Sequence, residues 1–225
     1  MKTLLISDVH CGLETSRVDQ VLDLLNSEPF DLLVVVGDLC NMDLNLSALD
    51  ATSMQLLESL EGLARRQRLV LIRGNHDPHI CTLLAQMWGI EARDSYTWGA
   101  GGKTFYAEHG NRYDRVCSHS SVLATILTWL LTFALAHRWL HFSAERFADW
   151  FHVEWEHLKP KVQAGTMAAA RSVGAQVCFA GHTHFACEAT ADGVHYINLG
   201  CWLGTDMNYA VVDSEGATLK TWRAQ

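Results

Sequence analysis

Short apolar runs at 3–6, 32–36 and 69–72 alternate with stretches at 16–26 and 47–67 in which apolar residues recur every three or four positions. The runs have the length of buried strands, and each ends in a polar turn carrying Gly or Asp. The longer stretches have helical period. This β-α-β-α order predicts a mostly parallel sheet in the first half. Further along, 104–108, 176–180, 195–199, 209–213 and 217–222 read as strands and predict a second sheet.

Between the two groups lies a segment of different character, 118–159. Residues 122–136 are apolar on nearly every face. Leu140, Phe147, Phe151, Trp155 and Leu158 then follow at helical spacings, the last four at three- and four-residue intervals, opposite Glu145, Asp149, His152 and Glu156. The pattern predicts a helical hairpin inserted in a single domain spanning 1–225, with one helix apolar all round and one amphipathic. No charge falls between Arg115 and Arg138, nearly enough chain to span a bilayer, but the Ser, Thr and His content and the position between strands argue against spanning. An apolar pair of this kind suits a lid, a homo-oligomer interface, or peripheral contact with lipid or membrane.

Composition narrows the classes. With 49% hydrophobic and 19% charged residues, the 225-residue chain can bury a sizeable core. A net charge of −8 disfavours a nucleic-acid partner, although bound cations would make a site locally positive. The seven cysteines are scattered, odd in number and without a Cys-x-x-Cys pair, so reduced thiols are expected rather than disulfides or structural zinc. The apolar start is too short for a signal-peptide core and meets Asp8 at once, and a cytoplasmic protein is expected.

The candidate chemistry sits in five fragments: Asp8-Val9-His10, Gly37-Asp38, Gly74-Asn75-His76-Asp77, His109-Gly110 and Gly181-His182-Thr183-His184. Each closely follows a strand-like run, where ligands of open α/β sheets bind, so all five are expected on one edge. In Asp-x-His and His-x-His an extended backbone would put both side chains on one side. Carboxylate, imidazole and amide oxygen together suit Mn²⁺, Fe²⁺ or Zn²⁺ better than Ca²⁺. Asp38, alone in its fragment, suits a carboxylate shared by two cations.

In order and wording these fragments, from Asp8 to His184, resemble the calcineurin-like metallophosphoesterase superfamily. The resemblance implies a four-layer α-β-β-α sandwich with two divalent metal ions, Mn²⁺ foremost and Fe²⁺ or Zn²⁺ as alternatives. It implies Asp8, His10, Asp38 and His184 around one ion, and Asp38, Asn75, His109 and His182 around the other. His76 would be the catalytic histidine, with Asp77 orienting it. A hydroxide bridging the ions would attack phosphorus, and His76 would protonate the leaving oxygen.

The substrate is less legible. Gly37-Asp38-Leu39-Cys40-Asn41-Met42-Asp43 lacks the Asp-Arg-Gly ending of the phosphoprotein phosphatase branch. Ser7-Asp8-Val9-His10, the insertion after His109 and the closing Asn198-Leu199-Gly200-Cys201-Trp202 are more similar to bacterial pyrophosphohydrolases that cleave UDP-diacylglucosamine. The chain departs from that branch at His76, where Arg is usual. Arg112 and Arg115, just beyond His109, are candidates for steadying a second phosphate. The expected activity is hydrolysis of a phosphodiester or pyrophosphate in a small-molecule, lipid-linked or nucleotide-like substrate. Phosphomonoesterase, metal-dependent nuclease and non-catalytic scaffold are the alternatives.

Overall fold

The computed structural model describes residues 1–41, 49–114 and 141–223, and only the backbone of 141–156. Arg115, the apolar stretch 122–136 and Leu140 lie outside the described residues, as do the side chains of Phe147, Phe151 and Trp155.

Strands β1 (Thr3–Ile6), β2 (Leu32–Val36), β3 (Leu69–Ile72) and β4 (Ala92–Arg93) run parallel, as the alternation predicts. Helices α1 (Val18–Ser27), α2 (Ala51–Arg65) and α3 (Pro78–Trp88) connect them. The Asp50 side chain caps α2 by accepting the Ser53 amide at 2.7 Å. Helix α3 is absent from the sequence reading, yet its ends carry recognisable signals. Pro78 opens it, where a missing N–H costs nothing, and Gly89 closes it at φ 73°.

The second sheet is built from β5 (Ser95–Ala100), β6 (Lys103–Glu108), β7 (Val177–Ala180), β8 (Cys187–Ala191) and β9 (Val194–Asn198), in the order β5-β6-β7-β9-β8. Here the structure corrects the sequence. Strands β10 (Met207–Val212) and β11 (Ala217–Trp222) belong to the first sheet, not the second. β1 has β2 on one side only, and β10, buried throughout, gives its other edge an antiparallel partner.

Three apolar clusters separate four layers. One lies between α1–α3 and the first sheet and takes Leu4, Ile6, Leu33 and Val35. The alternate residues Leu5, Val34 and Val36 face the second sheet, meeting Phe105, Ala107 and Phe179. A third cluster joins Tyr106, Cys178, Ala180 and Tyr196 to Leu158, Val162, Met167 and Ala170 of α4 (His141–Ser172). The strand period of two thus supplies both faces of each sheet. Helix α4 runs through Pro160 and past the predicted boundary at 159, because Val162, Met167 and Ala170 bury against the second sheet. That burial offsets a proline cost of about 3 kcal/mol.

Cys11, Cys40, Cys81, Cys178, Cys187 and Cys201 are free thiols. Among the described residues no helix is long and apolar enough to cross a membrane.

Candidate metal centre

Every candidate ligand leaves a strand at its carboxyl end. Asp8 and His10 follow β1, Asp38 follows β2, Asn75 follows β3, His109 follows β6, and His182 and His184 follow β7. The expectation of an extended backbone at these pairs is corrected. Asp8 (φ 54°), His10 (54°), Asp38 (49°), His182 (66°) and His184 (53°) are all left-handed. They are five of the seven non-glycine residues with positive φ among those described, so strain of order 1 kcal/mol apiece concentrates at this edge. The amides of Asp8, His10 and Cys11 still donate to the carbonyls of Gly37, Asp38 and Leu39, at 3.2, 3.0 and 2.8 Å. Two glycines permit the close approach of the loops. A Cβ at Gly74 would overlap the Asp38 carboxylate, and one at Gly181 would overlap Ser7 and Asp8.

The side chains converge as three overlapping sets: Asp8, His10 and His184; His10, Asp38 and His76; and Asp8, Asp38 and His109, with donor atoms within 4.8 Å in each. His10 Nε2 lies 3.1 Å from His184 Nε2 and 3.8 Å from both Asp8 Oδ1 and Asp38 Oδ2. Asp8 Oδ1 is buried, with His184 Nε2 3.1 Å away and no other hydrogen-bond donor satisfying it. A buried carboxylate oxygen facing imidazole nitrogens in this way fits a divalent cation. The other Asp8 oxygen is held by the His182 amide (3.0 Å) and the Ser7 hydroxyl. His109 Nδ1 donates to the Val36 carbonyl at 2.9 Å, which turns Nε2 towards Asp38 Oδ2 and Asn75 Oδ1, both at 3.2 Å.

Burial opposes charge on Asp8 and Asp38, but His109 and its neighbouring imidazoles outweigh it, and both carboxyls are held below the usual carboxylate range. Burial also opposes charge on His109, yet Asp38 and Asp8 raise it to about 10. A cation needs Nε2 bare, so at neutral pH it must displace that proton. Cation uptake is therefore expected to release protons and to weaken as pH falls. Calorimetry in buffers of different ionisation enthalpy reads this directly; uptake without proton release would mean that His109 is not a ligand.

His76 stands edge-on to His10, with ring centroids 5.0 Å apart, and burial lowers its pKa from the ordinary 6.5. Asp77, next in sequence, holds the surrounding loops together. Its two oxygens accept the backbone amides of Cys40 and Gly74, both at 3.1 Å, and so tie the loop after β3 to the loop after β2. Burial and the nearby Asp38 charge push Asp77 up to about 7, against those two donors. Asp77→Ala leaves two amides without an acceptor and is expected to cost about 2–6 kcal/mol. Denaturant unfolding of the apo protein measures this, and a loss under 1 kcal/mol would show that water satisfies them.

His182 is not in any of the three sets, and its Nε2 lies 3.2 Å from Asp114 Oδ2. Arg112 is engaged by Glu108 at 2.6 Å and by the Tyr106 hydroxyl at 3.2 Å. With Arg73, Pro78 and Asn111 it borders a cleft of about 360 Å³ that adjoins His109. Sequence reasoning missed Ser7 as a carboxylate support, Asp114, and Asn198, whose amide group holds the Gly181 carbonyl at 2.9 Å. For Asp114 the signal was an acidic residue closing a short Asn-Arg-Tyr turn after His109.

The family model for calcineurin-like phosphoesterases matches residues 1–186. The chain belongs to this family. Membership implies divalent metal ions, and the clustered donors are suited to hold them. No curated protein matches the chain. Among solved structures, an archaeal phosphodiesterase superposes with TM-score 0.56 at 16% identity, covering 99% of this chain and 100% of its own. The phosphoesterase Yfce from E. coli gives 0.54 at 16%, covering 95% and 88%. Vps29 from Entamoeba histolytica, complexed with zinc, gives 0.51 at 14%, covering 99% and 98%. At these identities the likeness is one of fold, and it agrees with the four-layer architecture of a phosphoesterase.

Proposed function

We propose that this phosphoesterase hydrolyses a phosphodiester or pyrophosphate at a dinuclear centre, with Asp38 shared between two cations. The observation that carries the reading is the overlap of the donor sets, in which Asp8, His10 and Asp38 each belong to two, around a buried Asp8 oxygen that faces imidazole nitrogens. Divalent cations there would supply an activated water and offset charge on the phosphoryl group. The protein's own part is positioning and proton transfer. The left-handed loops fix the donors in advance of binding, so little reorganisation accompanies reaction. His76, half-buried and sharing a donor set with His10 and Asp38, is the proton donor to the leaving oxygen. The cleft between Arg73 and Arg112 takes the leaving portion, whose second phosphate would compete with Glu108 and Asp94 for the guanidiniums. Manganese is the proposed metal, and the apolar sequence at 122–136 favours a lipid-linked or nucleotide-like substrate.

Reconstitution with Mn²⁺ and comparison of an activated phosphodiester with its monoester tests this. Diester cleavage that follows bound Mn²⁺ and disappears with a chelator is expected. A preference for the monoester would replace the reading with a phosphatase. The fold likeness to Vps29 supports a second reading, a scaffold on this fold, which expects bound cation with no turnover on diesters, monoesters or lipid-linked pyrophosphates.

A further inference from the structure

His182 differs from the other imidazoles of the cluster. His10, His109 and His184 all turn Nε2 towards Asp8 or Asp38. His182 turns Nε2 the other way, to Asp114 Oδ2 at 3.2 Å. A carboxylate only accepts, so this nitrogen carries the hydrogen in the neutral ring and Nδ1 is left with the lone pair. The His182 ring packs edge-on against His109, with centroids 5.2 Å apart, and its amide is fixed on Asp8 Oδ2. Both partners are buried, His182 at 3% and Asp114 at 9% exposure.

The element that delivers Asp114 is itself anchored. Its amide closes the turn Asn111–Tyr113 by donating to the Asn111 carbonyl at 3.0 Å. Tyr113 donates to buried Glu108 at 2.8 Å, and its ring fills the space where a Cβ on Gly165 of α4 would sit. The carboxylate is therefore held at a set place by the second sheet and by α4.

We infer that Asp114 is a positioning residue that locks His182 in the Nε2–H tautomer, so that Nδ1 is the donor presented to a divalent cation beside His109. The inference rests on the dinuclear reading for the cation, but its first readout does not. Nitrogen-15 NMR of the apo protein at alkaline pH, with imidazole nitrogens labelled, is expected to show His182 protonated at Nε2. Asp114→Ala should give a mixture of tautomers, and Asp114→Asn, which keeps an acceptor oxygen, should restore the preference. In Mn²⁺ titrations Asp114→Ala is expected to weaken one cation about 10–100-fold, leaving the other within threefold of wild type. A wild-type ring protonated at Nδ1 would overturn the inference, as would two cations bound by Asp114→Ala at wild-type affinity. A wild-type protein that binds no divalent cation would instead sink the hydrolase reading, with the tautomer still read independently.

Discussion

On the proposed dinuclear reading, replacing Asp38 by asparagine is expected to lower bound cation from about two equivalents to one or none and to reduce kcat by about 10³-fold or more, equivalent to losing several kcal/mol of charge stabilisation. The choice of asparagine isolates charge from architecture. Asp38 Oδ1 accepts the His76 amide at 2.9 Å, and an asparagine carbonyl keeps that bond, so the loop after β3 stays in place. What disappears is the negative oxygen 3.2 Å from His109 Nε2 and 3.8 Å from His10 Nε2. Because Asp38 is the leading cause raising His109, the variant should also let the His109 proton leave at lower pH. Metal analysis and NMR titration read both effects. Two cations at wild-type affinity in Asp38→Asn would rule out a shared carboxylate.

His76→Ala is expected to lower kcat by about 10²–10⁴-fold while leaving cation content intact. Its place in a donor set with His10 and Asp38 allows the competing reading that it is itself a ligand. Two measurements separate them. A proton donor matters more for a basic leaving group, so the variant should lose far more on an alkyl ester than on a nitrophenyl ester. The pH profile gives the second test. Burial holds the His76 pKa below the ordinary 6.5, so its protonated form is depleted as pH rises through that lowered value. The kcat/KM profile of the free enzyme should therefore fall on its alkaline side below the ordinary imidazole range, and the variant should lack that limb. Loss of cation from His76→Ala would transfer His76 to the metal shell.

Much of this is legible in the sequence. The runs at 3–6, 32–36 and 69–72 alternate between two apolar faces, and that local period places them between helices on one side and a second sheet on the other. The five ligand fragments are legible for the same reason. A donor residue just past a strand is a local feature, and the strand carries it to the sheet edge. Helix α3 and strands β5 and β8 are not legible in the same way, since Pro78 and Gly89 mark only the ends of α3, and β5 and β8 are largely exposed or half-buried and so lack a continuous apolar run.

The sequence by itself determined the candidate donor fragments, their order along the chain and the parallel first sheet, because residue type and short-range period specify them, while the four layers were implied by the family resemblance. Only the tertiary structure decided the pairings. β10 joins β1 because β1 has an open edge, a fact about neighbours more than 200 residues apart that no local pattern records. His182 meets Asp114 across 68 positions, and Asp77 meets Cys40 across 37. The left-handed turns at Asp8, His10, Asp38, His182 and His184 are likewise tertiary decisions. Their strain survives because the surrounding hydrogen bonds and buried sheets stabilise the loops by more than the strain costs.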